Sequence, residues 1–314
     1  MTAWCDVRLA TQQLGGVLGP LAANAVLVAS LAQVLGLDPG GSAPFAALLP
    51  LRIGGATEAP IAAATNAAVI VALAAACTYL FAALYGLRCR MLVHWLVFAA
   101  FGAPLAWLSI EMLARIRCDW IVAVLVAWNA GVGVAWAVVY RAEHANPSLA
   151  TAALVVAITA LAWPFLCLDE LTLWTTLAGL AVWDVFAVTS SLGAFRLILN
   201  ERQRRIWMAE DYELPAGLLF ETDSGFSLGS GDFLLYAVLV GRSSMRGTSN
   251  AAAATLGLVA GHSITVFWSV AKPDGDSVPA LPAALLLGML LYFAVASFIA
   301  PALRASLPLD VVYA

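Results

Sequence analysis

Two aspartates stand where a chain of this composition has reason to avoid them. Asp184 lies in LAGLAVWDVFAVTSS, the middle of an apolar run, and Asp232, within LGSGDFLLYAVLVGR, opens a run in which Phe233 to Gly241 carry no charge. Of nineteen acidic residues, only these two sit inside or at the mouth of an apolar stretch without a nearby counter-charge. An ionisable side chain within a membrane span is costly, so it faces protein or water and points to function. Two carboxyls within hydrogen-bonding reach cannot both ionise; they share one proton and titrate as a unit. That is the chemistry of an aspartic protease, in which one carboxylate activates water while the other, protonated, polarises the scissile carbonyl. Separate hydrogen bonds to hydroxyls would also account for the pair, since Thr189 and Ser190 are near in sequence.

Other polar residues in apolar runs read as structural. Glu111 precedes Arg115 by four positions near the end of its run, the spacing of an ion pair on one helix face. His262 reads as a packed, hydrogen-bonded histidine, and Asn129 as a bond between helices. Ahead of Asp232, Gly229-Ser230-Gly231 removes side-chain bulk, weakens the helix start and opens a backbone approach for a substrate strand. Small residues at this spacing also serve close helix packing.

The elements that must hold these acids are membrane spans. The chain is 63% hydrophobic and 11% charged, with a mean hydropathy of +0.92; a soluble domain carries about 25% charged residues. The net charge of −4 is small, and no basic patch interleaved with aromatics points to nucleic acid. Cys5, Cys77, Cys89, Cys118 and Cys167 are scattered, without the spacing of a zinc site or a disulfide framework. With about 20 apolar residues needed per crossing, nine spans are expected, at 16–37, 61–86, 91–114, 120–140, 148–167, 172–193, 226–244, 250–270 and 279–301. The first reads as a transmembrane helix or uncleaved anchor rather than a removed signal peptide. Connections are short, except the nearly uncharged 38–60 and the charged 196–225. Nine Lys and Arg fall on the side of the amino terminus and six on the other, which places the amino terminus in the cytosol.

Three blocks then resemble one family. VWDVFAV (182–188), GFSLGSGDFLLYAVLVGR (225–242) and PALPAALLLGMLLYFAVASFIAP (279–301) are similar, in order and spacing, to the sixth-span YD, GxGD and PALP motifs of presenilins, the GxGD intramembrane aspartyl proteases. The similarity runs almost continuously from Trp174 onward, while the amino-terminal half agrees in the number and order of spans. The chain ends about a dozen residues after the last block, as presenilins do. The resemblance implies an all-α polytopic fold of about nine transmembrane helices, with helices 1–5 in residues 1–171. Residues 172–314 would then hold catalytic helices 6–9 and the charged loop 196–225. It makes Asp184 and Asp232 catalytic, and gives Gly229, Ser230, Gly231, Pro279, Ala280, Leu281, Pro282 and Trp183 the task of shaping the active site or binding substrate.

Two departures are specific. Trp183 replaces the usual tyrosine, so a hydroxyl near Asp184 is lost, since an indole donates but does not accept. Ser230 replaces leucine, a change expected to alter side-chain preference at the substrate. The 6–7 loop lacks a long hydrophilic insert, which leaves self-cleavage open. Physically, Pro279 and Pro282 lack amide donors and constrain entry into the last helix; prolines also commonly just start helices. By resemblance, the activity is intramembrane endoproteolysis of single-span membrane proteins with no metal and no cofactor. The chain would be the catalytic subunit of a γ-secretase-like complex with nicastrin-like and smaller membrane subunits. Its place would be the endoplasmic reticulum, Golgi and plasma membranes, with a part in the Notch signalling pathway. Segment 218–228 is a candidate edge for strand addition by substrate. The alternatives are a signal-peptide-peptidase-like protease of opposite topology, an ion channel or transporter, and a membrane scaffold.

Overall fold

The computed structural model describes residues 2–35, 59–140, 147–194, 196–198, 218–221, 227–271 and 278–302. Nine long helices make up most of them: α1 (Thr2–Leu35), α2 (Ala59–Gly86), α3 (Arg90–Arg115), α4 (Trp120–Val139), α5 (Pro147–Leu166), α6 (Glu170–Thr189), α7 (Ser230–Ser244), α8 (Thr248–Ala271) and α9 (Leu281–Ala294). A π-helical stretch, Val295–Ile299, continues α9. Eight of the helices are long and apolar enough to cross a membrane. The fold is that of an all-α polytopic membrane protein. Side chains such as Trp120, Leu125, Trp128 and Trp136 on α4 stay exposed, as expected of a face turned to lipid.

The exception among the nine is α7, with 15 residues; α9 has 14 but reaches spanning length with its continuation, Leu281–Ala302. At 1.5 Å per residue α7 reaches about 22 Å, short of a hydrocarbon core of about 30 Å. The expected span at 226–244 is therefore helical only from Ser230. The residues just ahead of it form β2 (Ser227–Gly229), which pairs antiparallel with β1 (Leu219–Glu221) in the register Leu219↔Gly229, Phe220↔Leu228 and Glu221↔Ser227. Glycines at 229 and 231 weaken helix initiation, so the chain stays extended until Ser230. Strand and helix end to end cover about 32 Å, since an extended residue adds about 3.3 Å. Non-helical backbone at membrane depth requires burial in protein or a watery cavity.

Although short, α7 is the centre of the molecule. Phe233 and every residue from Leu235 to Ser244 are buried, the pattern of a helix surrounded on all sides. It packs against α1, α5, α8 and α9, while α6 packs against α2 and α9. Among the described residues, the most extensive helix packing is between α8 and α9. Gly257 and Gly261, four residues apart on α8, let the backbones touch: a Cβ on Gly257 would lie 2.7 Å from the Gly288 Cα, and one on Gly261 2.5 Å from the Ala284 Cα. This is small-residue packing of the membrane type, and it fixes where α9 begins.

The membrane-surface turns are capped by acids the sequence placed in loops. Asp119 accepts from the Ile121 amide at 2.9 Å, and Asp169 from the Thr172 amide at 2.8 Å. Asn129 does not bond across helices as expected; its amide donates to the Leu125 carbonyl of its own helix at 2.7 Å. Its side chain is exposed, and it bonds the carbonyl four residues back on its own helix. The loop expected at 38–60, the turn 141–146 and the charged stretch 199–217 lie outside the described residues.

Candidate active site

Asp184 comes from the last two turns of α6 and Asp232 from the first turn of α7. The Asp184 carboxyl lies near enough to Asp232 to act on it electrostatically. Each also accepts a backbone N–H, and neither relies on a hydroxyl. Asp184 Oδ2 accepts from the Leu281 amide at 3.2 Å. Asp232 accepts from the Gly229 amide; with Gly229 as N-cap, Asp232 sits at the third helical position, the acid half of a capping box. That is one answer to why a carboxylate stands at the mouth of an apolar helix: it finishes the helix start that the glycines weaken. The hydroxyls named as alternative partners are engaged elsewhere, with Thr189 donating to the Val185 carbonyl at 2.6 Å and Ser190 accepting from the Leu192 amide at 3.2 Å.

The start of α9 lies beside the acids. Pro279 and Ala280 are half-buried, Ala280 is the N-cap with φ −85° and ψ −31°, and Pro282 falls in the first turn. Its missing N–H is one that a first turn leaves unbonded in any case. The Leu281 side chain is buried in the core while its amide turns to Asp184. Trp183 does not join this group through a polar contact; its ring meets Tyr79 of α2 edge-on at 5.9 Å and Phe186 at 5.5 Å. The Tyr79 hydroxyl donates to the Leu192 carbonyl at 2.9 Å. In the glycine turn, a Cβ on Gly231 would meet nothing within 4 Å, and one on Gly229 would lie 3.4 Å from Asp232 Oδ2. A side chain at position 231 would thus meet open space, and one at 229 only an ordinary contact. Ser230 is half-buried at the first helical position.

Three residues that sequence reasoning passed over help to build the site. Asn24 of α1 donates to the Phe233 carbonyl at 3.3 Å and accepts from Thr159 of α5 at 3.0 Å, all of them buried. These bonds tether the residue next to Asp232 to two neighbouring helices. Tyr236, one turn after Asp232, donates to the Ala280 carbonyl at 3.2 Å. The signals were present: Asn24 is an amide within an apolar span, and Tyr236 stands four residues from the acid on the same helix face. His262 is buried on α8, its ring edge-on to Tyr236 at 6.1 Å, which agrees with a packed histidine. Among the described residues no cluster of His, Cys, Asp and Glu has the makings of a metal site.

Comparison with known proteins converges on the same group. The Presenilin family profile matches residues 11–209 and 208–303. Presenilin-B of Dictyostelium discoideum is 26% identical over 254 residues, which cover 76% of this chain and 50% of that protein. The Presenilin homolog of Drosophila melanogaster is 29% identical over 153 residues, 46% of this chain and 27% of that protein. A Presenilin-like protein of Arabidopsis thaliana is 24% identical over 368 residues, covering 90% of this chain and 91% of its own length. The chain therefore spans half the length of the Dictyostelium protein, at 50%, and a smaller part, 27%, of the Drosophila one.

Proposed function

The chain belongs to the presenilin family, and from that premise we propose that it hydrolyses peptide bonds of single-span membrane proteins within the bilayer, with Asp184 and Asp232 as its catalytic acids. The observation that carries the reading is the juxtaposition of these two carboxyls, each oriented by a backbone amide, at the junction of α6, α7 and α9. One carboxylate takes a proton from water as the water oxygen attacks the scissile carbonyl. The other, protonated, donates to the carbonyl oxygen, giving a tetrahedral gem-diol. Collapse of that intermediate breaks the C–N bond, and a proton passes from the acid pair to the leaving amine. No covalent enzyme intermediate forms, and no metal takes part.

A helical substrate keeps its peptide groups in its own hydrogen-bond ladder and must unwind before attack. The β1–β2 pair ends at Gly229, three residues before Asp232, so an extended substrate segment adding to this small sheet would be led toward the acids. The open space at Gly231 supports a close approach there. By the same family reading, the chain serves as the catalytic subunit of a γ-secretase-like complex, with nicastrin-like and smaller membrane subunits, in endoplasmic reticulum and Golgi membranes. The test is to add a single-span substrate to membranes containing the chain and its co-purifying subunits, and to identify the products by mass spectrometry. Cuts inside the substrate's apolar segment are expected. Cuts confined to its soluble flanks would overturn the reading.

A further inference from the structure

We propose that Tyr236 is a positioning residue, acting on Asp184 through the single peptide group that joins Ala280 to Leu281. The inference rests on the protease reading above. The carbonyl of that peptide accepts from the Tyr236 hydroxyl at 3.2 Å, and its N–H donates to Asp184 Oδ2 at 3.2 Å. One planar unit is thus held at both ends, by α7 on one side and α6 on the other. Its two ends are rigidly opposed because the peptide bond does not rotate. Fixing the carbonyl therefore fixes the direction in which the N–H meets the carboxylate.

The bridge carries more than geometry. A hydrogen bond at the carbonyl polarises the amide and makes its N–H a stronger donor, since chained hydrogen bonds reinforce one another. Tyr236 is also the residue one helical turn beyond Asp232, so the hydroxyl that sets the Asp184 partner belongs to the helix that carries the other acid. The Asp184 donor is thereby tied to the helix that carries Asp232. The N–H contact sits at the long end of its range and the hydroxyl contact just past the usual one, which leaves room for the bridge to tighten when substrate seats. The Tyr236 ring is buried and edge-on to His262 of α8, and α8 is locked to α9 through Gly261. Tyrosine and peptide are therefore held in register from behind.

The test is Tyr236→Phe, which removes the hydroxyl and keeps the ring. With a single-span substrate, kcat is expected to fall about three- to tenfold, the effect of one lost hydrogen bond, with KM within about twofold. Thermal unfolding should stay near wild type. Tyr292→Phe is the control: it removes a hydroxyl from another fully buried tyrosine, on α9 itself, and should leave kcat unchanged. Incorporating 3-fluorotyrosine at 236 restores a stronger hydroxyl donor and should recover the rate, which covers the case in which phenylalanine packs badly. Wild-type kcat in Tyr236→Phe overturns the proposal. So does a fall matched by Tyr292→Phe, or one that fluorotyrosine leaves in place. Asp184→Asn run in parallel separates the two levels: an active Asp184→Asn removes the protease reading, whereas an inactive one beside an unaffected Tyr236→Phe removes only the bridge.

Discussion

Adding one methyl group at Gly261 should separate the two helices that frame the proposed active site. A Cβ there would lie 2.5 Å from the Ala284 Cα and 2.6 Å from the Ala283 carbonyl carbon. Carbon atoms rest at about 3.5 Å or more, so α8 and α9 must move apart by about 1 Å. The atoms in the way are backbone, so no side-chain rotation absorbs the clash. Overpacking of this kind costs about 1–3 kcal/mol, and the absence of rotamer relief puts Gly261→Ala toward the upper end. The consequence for chemistry is larger than for folding. Ala284 is in the first turn of α9, so displacement there carries the Leu281 amide away from Asp184. A misplacement of about 1 Å lowers a rate by about 10²-fold. Gly257→Ala meets Gly288 farther along α9; it should destabilise similarly but spare more of kcat. Gly133→Ala, where nothing lies within 4 Å, should be neutral or stabilising by up to about 1 kcal/mol. Thermal unfolding in lipid–detergent micelles and cleavage of a single-span substrate read both quantities. Wild-type stability and kcat in Gly261→Ala would refute the reasoning.

Further outcomes follow from other contacts. Asn24→Ala removes the tether to the Phe233 carbonyl; Thr159 keeps its bond to the Val155 carbonyl at 2.8 Å, so the expected loss is about 1–2 kcal/mol, and an unchanged melting temperature would contradict it. Glu170 accepts from Arg246 at 2.7 Å and from the Trp174 indole at 3.3 Å, and lies 4.0 Å from Arg242, whose side chain is only 6% exposed. Glu170→Gln should cost about 1–3 kcal/mol because it strips a buried cation of its counter-charge. Arg246→Ala, at the half-exposed end, should cost at most about 1 kcal/mol; equal losses in denaturant titrations would show that burial of Arg242 does not govern the cluster. Glycosylation tags in 38–60 and in the tail after residue 302 should both be modified, as a cytosolic amino terminus requires; if neither is, the orientation is reversed.

The apolar spans were legible because hydropathy is a local property of twenty residues, and the positions of α2 to α6 and of α8 follow the expected runs closely. The motifs carrying Asp184, Asp232 and the Pro279–Pro282 turn were equally visible. What stayed hidden depends on partners far away in sequence. Residues 226–244 have the hydropathy of a span, yet Ser227–Gly229 are extended because Leu219–Glu221 lie beside them. Asn129 and Asn24 look alike as amides in apolar runs, but Asn129 is exposed and bonds its own helix, whereas Asn24 is buried and bonds α5 and α7. Tyr236 gains its role only once α9 has folded back to set Ala280 against it. The four-residue spacing of Gly257 and Gly261 could have signalled close packing, although sequence alone does not say that α9 is the helix they admit.

The most direct test of the central claim is cleavage of a single-span substrate by membranes containing wild-type chain, Asp184→Asn or Asp232→Asn. Asparagine keeps an oxygen to accept from the Leu281 or Gly229 amide and removes a charge that is costly in the membrane, so expression and folding should persist. It cannot alternate between acid and base, so each single variant should lose peptide-bond hydrolysis, and the double variant should be no worse. Near-wild-type cleavage by either variant would contradict the assignment of these two aspartates as the catalytic pair.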